Sequence, residues 1–383
     1  MGKTAIEIIA ENIELPDSYY ETAKSRYEDL GEFLCTDSNI SMFEPKVFPQ
    51  GSFRLGTAIK PLNGNSAYDL DLTCRLEKGF NSRNSSQKEL KDITGKAIDD
   101  YIQKRGIKEG KEEKRRCWRI NYQGNINFHM DIVPGIPLND KKFLVESMKA
   151  SGMDESLSGK LADFAYNITD NKTDNYNHIT QNWPISNPEG YAQWFESRMR
   201  LGVDFVAINK AHYEELPFFK RKTILQRSVQ ILKRHRDIMF QKNDDVKPVS
   251  IIITTLAARA YQGERELDIS IFNILTKMEE MLNNKGYGPR VPNPTKPEED
   301  FADKWKEDPQ LEKNFYMWIM QAKADLCNIK DASSLNAVFD KAHNSFGLIL
   351  NESMFEEDAI NINKVPIKNN RIEVAKLPKP HMK

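Results

Sequence analysis

A glycine-serine turn, Gln50-Gly51-Ser52-Phe53-Arg54-Leu55-Gly56-Thr57, precedes Tyr68-Asp69-Leu70-Asp71-Leu72, and a third acid, Asp131, stands in Asn127-Phe128-His129-Met130-Asp131-Ile132-Val133. Glycine lets the backbone approach an anion, N–H groups at a helix start favour phosphate, and the Ser52 hydroxyl adds a donor. Alternation puts Asp69 and Asp71 on one face of one strand, about 7 Å apart. If the strand carrying Asp131 lies beside it, three carboxylates converge, which is costly unless cations neutralise them. Mg²⁺ is the natural match, a hard ion that takes oxygen ligands and shares them with substrate phosphates, and Mn²⁺ is its natural substitute. Two such ions about 4 Å apart stabilise the attacking and leaving oxygens of an in-line displacement. In that scheme Asp69 and Asp71 bind metal, and Asp131 binds the ion that activates the attacking hydroxyl. The chemistry this arrangement predicts is nucleotidyl transfer: a 3′- or 2′-hydroxyl attacks an α-phosphate and pyrophosphate leaves. A lone Asp-x-Asp is usually a solvated strand face; the combination of turn, acidic pair and third acid carries the reading.

The elements that must position these groups follow from periodicity. Residues 45–50 read as extended, 51–58 as a turn and short helix, and 67–76 and 126–133 as alternating strands. In the second strand Ile126, Phe128, Met130 and Ile132 take one face, His129 and Asp131 the other. Helices are expected at 3–13, from Asp17 to about Leu34, and at 89–105. Residues 104–119 carry eight Lys/Arg against three acids and read as a basic connection into a strand near Trp118. Residues 139–190 read as loops and short elements, including an amphipathic piece at 142–149. Further helices are expected at 189–200, 218–241, 250–262, 267–284, 309–328 and 333–344, with a Gly/Pro-rich loop at 285–300 and an extended or disordered tail after 351. The fold class is therefore α/β plus α: a core at 1–200 that includes the N-terminal helices, a helical lobe at 201–350 that closes over a cleft, and a tail at 351–383.

Composition sets the outer bounds. A chain of 383 residues with 55 Lys+Arg against 56 Asp+Glu holds about two domains and does not coat nucleic acid by bulk charge. The four cysteines form no CxxC pair, which argues against a zinc site or a disulfide framework. No signal peptide or membrane-length apolar run is read, so the expected setting is a reducing cytoplasm.

The turn, Thr57-Ala58-Ile59 and the three acids resemble the nucleotidyltransferase superfamily of polymerase β, poly(A) polymerase and oligoadenylate synthase. The match is nearest to the bacterial CD-NTases, relatives of cyclic GMP-AMP synthase in anti-phage (CBASS) signalling. The resemblance covers about 45–135 and implies a bilobal polymerase β-like core that joins NTPs into a cyclic di- or trinucleotide. It implies ATP or GTP, or a pyrimidine NTP, as substrate and a product-sensing effector as partner. It also implies a monomer with no membrane attachment and no nucleic-acid activator. Gln50, Gly51, Ser52, Arg54 and Tyr68 fall in the nucleotide-binding part, although Arg54 could instead cap its own turn and Tyr68 could be an ordinary buried tyrosine. Two weaker matches lie further on. Gln230–Arg236 with Lys247-Pro248-Val249-Ser250-Ile251 points to Lys233 and Ser250 as triphosphate contacts. The bland alternatives are a Lys233–Asp237 pair at i,i+4 and a simple N-cap at Ser250. Asn293–Trp305 resembles an element near the nucleobase pocket, with Asp303 or Asp300 on a base edge, against an exposed acidic helix start. His129 either lines the cleft or is structural. The competing readings are a template-free polymerase or adenylyltransferase acting on RNA or a small molecule, and a nucleotide-binding pseudoenzyme.

Overall fold

The computed structural model describes residues 3–62, 68–123, 127–202, 222–283 and 290–355. Seven strands form one sheet: β1 (Pro45–Gln50), β2 (Tyr68–Leu76), β3 (Lys111–Glu113), β4 (Trp118–Tyr122), β5 (Phe128–Pro137), β6 (Tyr166–Ile168) and β7 (Ile185–Ser186). Its order is β1-β2-β5-β4-β3, with β6 and then β7 added beyond one end of β5. The central pair, β2 and β5, is parallel; every other pairing in this sheet is antiparallel. The alternation seen in the sequence is the alternation of burial: Leu70, Leu72, Cys74, Phe128, Met130 and Ile132 are buried on one face. Ile126 lies outside the described residues.

Twelve α-helices are described: α1 (Ala5–Ile13), α2 (Asp17–Thr36), α3 (Gly51–Leu55), α4 (Gln87–Arg105), α5 (Lys142–Ala150), α6 (Glu155–Ala162), α7 (Pro188–Met199), α8 (Ile224–Met239), α9 (Ser250–Ala260), α10 (Leu267–Asn283), α11 (Pro309–Lys330) and α12 (Leu335–Phe346). Reciprocal capping boxes fix the starts of three: Thr4 with Glu7, Ser86 with Glu89, and Thr223 with Gln226.

Two cores result. One lies between the sheet and α2 and α4, with Tyr27, Leu30, Leu72, Ile98, Tyr101 and Met130 inside it. The other gathers α1 and α5 to α12, including Ile9, Leu144, Phe195, Leu232, Leu256 and Trp318. The division between the cores therefore does not fall near residue 200. The isoleucine face of α1 and the apolar faces of α5, α6 and α7 pack with the later helices, because the chain returns to them after the sheet is built.

Two stretches differ from their sequence expectation. Residues 290–300, expected as loop, carry a small hairpin, β8 (Pro292–Asn293) with β9 (Lys296–Asp300). The Asp300 carboxylate closes it by accepting from the N–H groups of Arg290, Val291 and Ala302, each at 3.0 Å. Local side-chain-to-backbone bonds of this kind leave no hydrophobic period to read. The basic connection at 104–119 holds the hairpin β3–β4, and many of its cations meet acids of the same chain: Arg105 meets Asp29, and Arg115 and Arg116 both meet Asp170. Residues 218–221, 285–289 and the tail from 356, for which a helix start, a loop and an extended end were expected, lie outside the described residues.

Candidate active site

Register decides where the acids stand. In the parallel pair, Asp71 of β2 is level with Asp131 of β5, and Asp69 with His129. On the other side of β5, Arg119 of β4 is level with Asp131. Level residues project to the same face of a sheet, so Asp69, Asp71, Asp131 and Arg119 share one face. Arg119 donates from Nε to Asp131 Oδ1 at 2.7 Å and from Nη2 to Asp131 Oδ2 at 2.7 Å, a bidentate fork. Its Nη2 also reaches Asp69 Oδ1 at 3.3 Å. Asp69 is open to solvent, whereas the Asp131 side chain is only 14% exposed. Asp71 has its pKa pushed up to about 7, first by burial and then by the negative charges of Asp131 and Asp69. Three carboxylates on one face, with Asp71 raised by the charges of the other two, make a cluster that a divalent cation would relieve, so the donor set fits the ion expected from the sequence. Among the described residues, however, no three His, Cys, Asp or Glu side chains are drawn into a metal-holding arrangement. Both oxygens of Asp131 accept from Arg119.

The glycine-serine turn is the start of α3, reached directly from β1. Gly51 has φ +66°, a left-handed conformation that side chains disfavour. A Cβ there would also collide with Asp71 Oδ2 and sit 3.1 Å from its Cγ. Glycine at 51 is thus required twice, once by the turn and once by the acid behind it.

The opposite wall comes from α8 and α9. Four buried polar side chains of α8 reach across to the chain that leaves α3. Gln226 donates to Leu55 O, Lys233 to Thr57 O, Gln230 to Ala58 O and Arg234 to Lys60 O. These bonds satisfy the carbonyls of an irregular segment, and they explain polar residues on what the sequence reads as a plain amphipathic helix. Burial, with the charge of Arg236, lowers Lys233 to about 8, while Asp237 and Asp71 oppose that shift. Lys233 does not pair with Asp237; Arg236 takes that acid from Nε at 2.8 Å. Arg236 also donates to Pro248 O at 2.8 Å and to Ser250 Oγ at 2.9 Å.

Between these walls lies a cleft of about 680 Å³. Gly51, Ser52, Tyr68, Asp69, Asp71, Lys233 and Ser250 all line it, together with Lys60, Arg236 and Lys247. The last three were not singled out from sequence. Arg236 stands in a basic run visible in the sequence, but that it lines the cleft, bonded to Pro248 O and Ser250 Oγ, is seen only in the structure.

Several expectations need correction. Arg54 does not reach toward phosphate. It is buried and forks onto Glu189 of α7 at 2.8 and 2.7 Å, with a third bond to Glu196 at 2.6 Å. A buried guanidinium needs such partners, and two acids on one helix supply them. Gln50 is turned away as well; its side chain accepts from Thr73 Oγ1 at 3.3 Å. Tyr68 borders the cleft, but its ring stacks on Phe128 at 5.5 Å and its hydroxyl donates to Tyr19 O, so it is core rather than a free stacking platform. Ser250 is the first residue of α9, not its cap, which is Val249. Asp300 is committed to its hairpin. Asp303 is exposed, accepts from Lys304 N and is not among the residues that line the cleft. His129 is not a lining residue either; its Nδ1 is buried without a partner among the described residues.

A family model described as "Cyclic GMP-AMP synthase DncV-like, nucleotidyltransferase domain" matches residues 45–134. The chain is 30% identical over 335 residues to a c-di-GMP synthase of Roseivirga ehrenbergii, covering 85% of this chain and 79% of that one. It is 23% identical over 330 residues to the cyclic dinucleotide synthase CdnG of Bradyrhizobium diazoefficiens, covering 80% and 71%. The solved structure of the Bradyrhizobium CD-NTase CdnG in complex with GTP superposes with a TM-score of 0.64 at 18% identity, over 94% of this chain and 97% of that one. The fold class expected from the sequence is the fold of these proteins.

Proposed function

The chain belongs to the CD-NTase family of nucleotidyltransferases, and on that premise we propose that it is a cyclic dinucleotide synthase working from GTP. The observation that carries the reading is the gathering of acids, cations and the glycine-serine turn around one cleft, where Arg236 and Lys247 also meet Asp237 and Asp244. Asp69 and Asp71 stand on the sheet wall, and Lys233, Arg236 and Lys247 on the helical wall, with the glycine-serine turn at its floor. Guanine is proposed because the relative matched over most of both chains is named for c-di-GMP and the superposed CdnG holds GTP.

In this reading the Gly51-Ser52 turn receives the triphosphate with backbone N–H groups and the Ser52 hydroxyl, and the cations of α8 and its neighbours neutralise the phosphates. Asp69, Asp71 and Asp131 hold divalent metal, Mg²⁺ with Mn²⁺ as its substitute. When bound, the metal supplies charge neutralisation at the α-phosphate and activation of the attacking hydroxyl. Ser250, held by Arg236, keeps that guanidinium aimed along the phosphate path. Two rounds of the same displacement, each releasing pyrophosphate, close the ring. Gln50 and Arg54 act by positioning, through Thr73 and through Glu189 and Glu196. The division of the chain into a catalytic part and a closing helical part follows the two cores rather than residue 200. A cyclic product requires a sensing protein, and the anti-phage role implied by the family resemblance gives that messenger its setting in the cytoplasm. No described helix is long and apolar enough to cross a membrane.

The test is incubation with each NTP alone and in pairs with Mg²⁺, phosphatase treatment and mass spectrometry. GTP alone should yield a phosphatase-resistant dinucleotide. Linear products, or product only when RNA or a small-molecule acceptor is added, would instead identify a template-free nucleotidyltransferase.

A further inference from the structure

The bidentate contact between Arg119 and Asp131 is not used by the chemistry above, yet it occupies a residue assigned to metal. Arg119 reaches both Asp131 oxygens at 2.7 Å and Asp69 at 3.3 Å. It is the level neighbour of Asp131 across the β4–β5 ladder, so the contact follows from strand register rather than from a loose rotamer. The guanidinium side chain is 24% exposed, so solvent can reach it. Without a cation, the face would hold three carboxylates, one of them nearly buried, which is costly.

We propose that Arg119 is an internal counter-ion that stands in for divalent metal in the nucleotide-free enzyme and must give up Asp131 before the full metal set can form. The inference rests on the metal assignment of the three acids. Its consequence is an order of events. The empty cleft binds divalent ions weakly because they compete with a tethered cation. Metal arriving with a triphosphate brings additional ligands and wins that competition. Arg119 is thus a positioning residue that sets when the site becomes competent, and it keeps the acids from capturing stray ions.

The experiment measures Mn²⁺ binding to the nucleotide-free protein by electron paramagnetic resonance, alongside melting temperatures in chelator and in Mn²⁺, for wild type, R119Q, R119K and D71N. R119Q should bind Mn²⁺ about tenfold more tightly than wild type, the scale of a lost charge-assisted pair. It should melt lower than wild type in chelator, and Mn²⁺ should recover most of that loss. R119K keeps a charge but not the fork, so it should tighten Mn²⁺ binding by a smaller factor, about threefold. It also carries the test if R119Q fails to fold. Unchanged or weaker Mn²⁺ binding in these variants, or a lowered melting temperature that Mn²⁺ does not restore, would show that Arg119 is only a strut and overturn the proposal. D71N separates the two claims. If it binds Mn²⁺ as well as wild type does, the metal assignment itself is wrong and the counter-ion falls with it.

Discussion

The two walls of the cleft are built by different rules. On the sheet wall, Asp69 and Asp71 line the cleft; they and Asp131 and Arg119, which share their face of the sheet but are not among the lining residues, are placed by strand alternation and by the register of three neighbouring strands. On the helical wall, Lys233 and Arg236 are placed by what they touch: carbonyls of Thr57 and Pro248, the hydroxyl of Ser250 and the acid Asp237. The first wall has rigid spacing, and a shift of one residue would turn all its acids to the other face. The second wall depends on side-chain bonds, the one from Lys233 reaching a segment 176 residues away and those from Arg236 reaching the next acid and the turn into α9. The difference teaches a division of labour. A register-locked wall suits groups that must act together on one reacting atom, and a bonded, adjustable wall suits groups that grip a substrate.

The largest expected break in this division is on the sheet side. The double variant D69N/D71N should lower product formation by about three orders of magnitude or more while the circular dichroism spectrum stays that of wild type. Turnover that survives would remove the acids from the chemistry. Next is the junction of turn and acid. G51A places a methyl group against Asp71 and forces a left-handed residue other than glycine. It should cost about 1–3 kcal/mol of stability by denaturant unfolding and about a hundredfold in kcat. A near-neutral result would mean that Asp71 has room to move, and that this wall is softer than its register implies. The helical wall is then tested with K233M, which should raise KM for GTP about tenfold with a smaller fall in kcat. If kcat fell as far as in the acidic variants with KM unmoved, the division of labour between the walls would be wrong. The smallest effect is in stability against pH. The folded-state pKa of Asp71 stands above its ordinary value, so the folded chain binds this proton more tightly than the unfolded chain. Its contribution is complete below about 4 and is lost as pH rises through about 7. In chelator, wild type should lose stability across that window relative to D71N, which lacks the titration. Lys233 runs the other way: its lowered pKa means that stability is lost as pH falls from the ordinary lysine range toward about 8.

How far each wall could be read from sequence follows from the same contrast. Period-two alternation is a local property, so Asp69 and Asp71 could be placed on one face without any structure, and Asp131 on a second strand. What could not be read is that β4 puts Arg119 level with Asp131, because pairing partners are chosen by the whole sheet. Arg54 illustrates the opposite failure. Its position in a phosphate-turn motif invited a phosphate role, but Glu189 and Glu196 reach it from 135 and 142 residues away. The small hairpin at 290–300 was hidden because Asp300, rather than alternating side chains, holds it together. The basic run of α8 was visible, but which of its members reach carbonyls and which also line the cleft was not. Helix periodicity says which residues face away from the apolar stripe, not what meets them there.

Three successive residues of α3 carry one further consequence. Phe53 is buried in the sheet core, Leu55 in the helical core, and Arg54 between them is fastened to α7. The segment that follows is held to α8 by four side chains. The floor of the cleft is therefore tied into both cores, so that parting them would have to break these bonds. A fixed floor of this kind suits a site that has to make two bonds in succession.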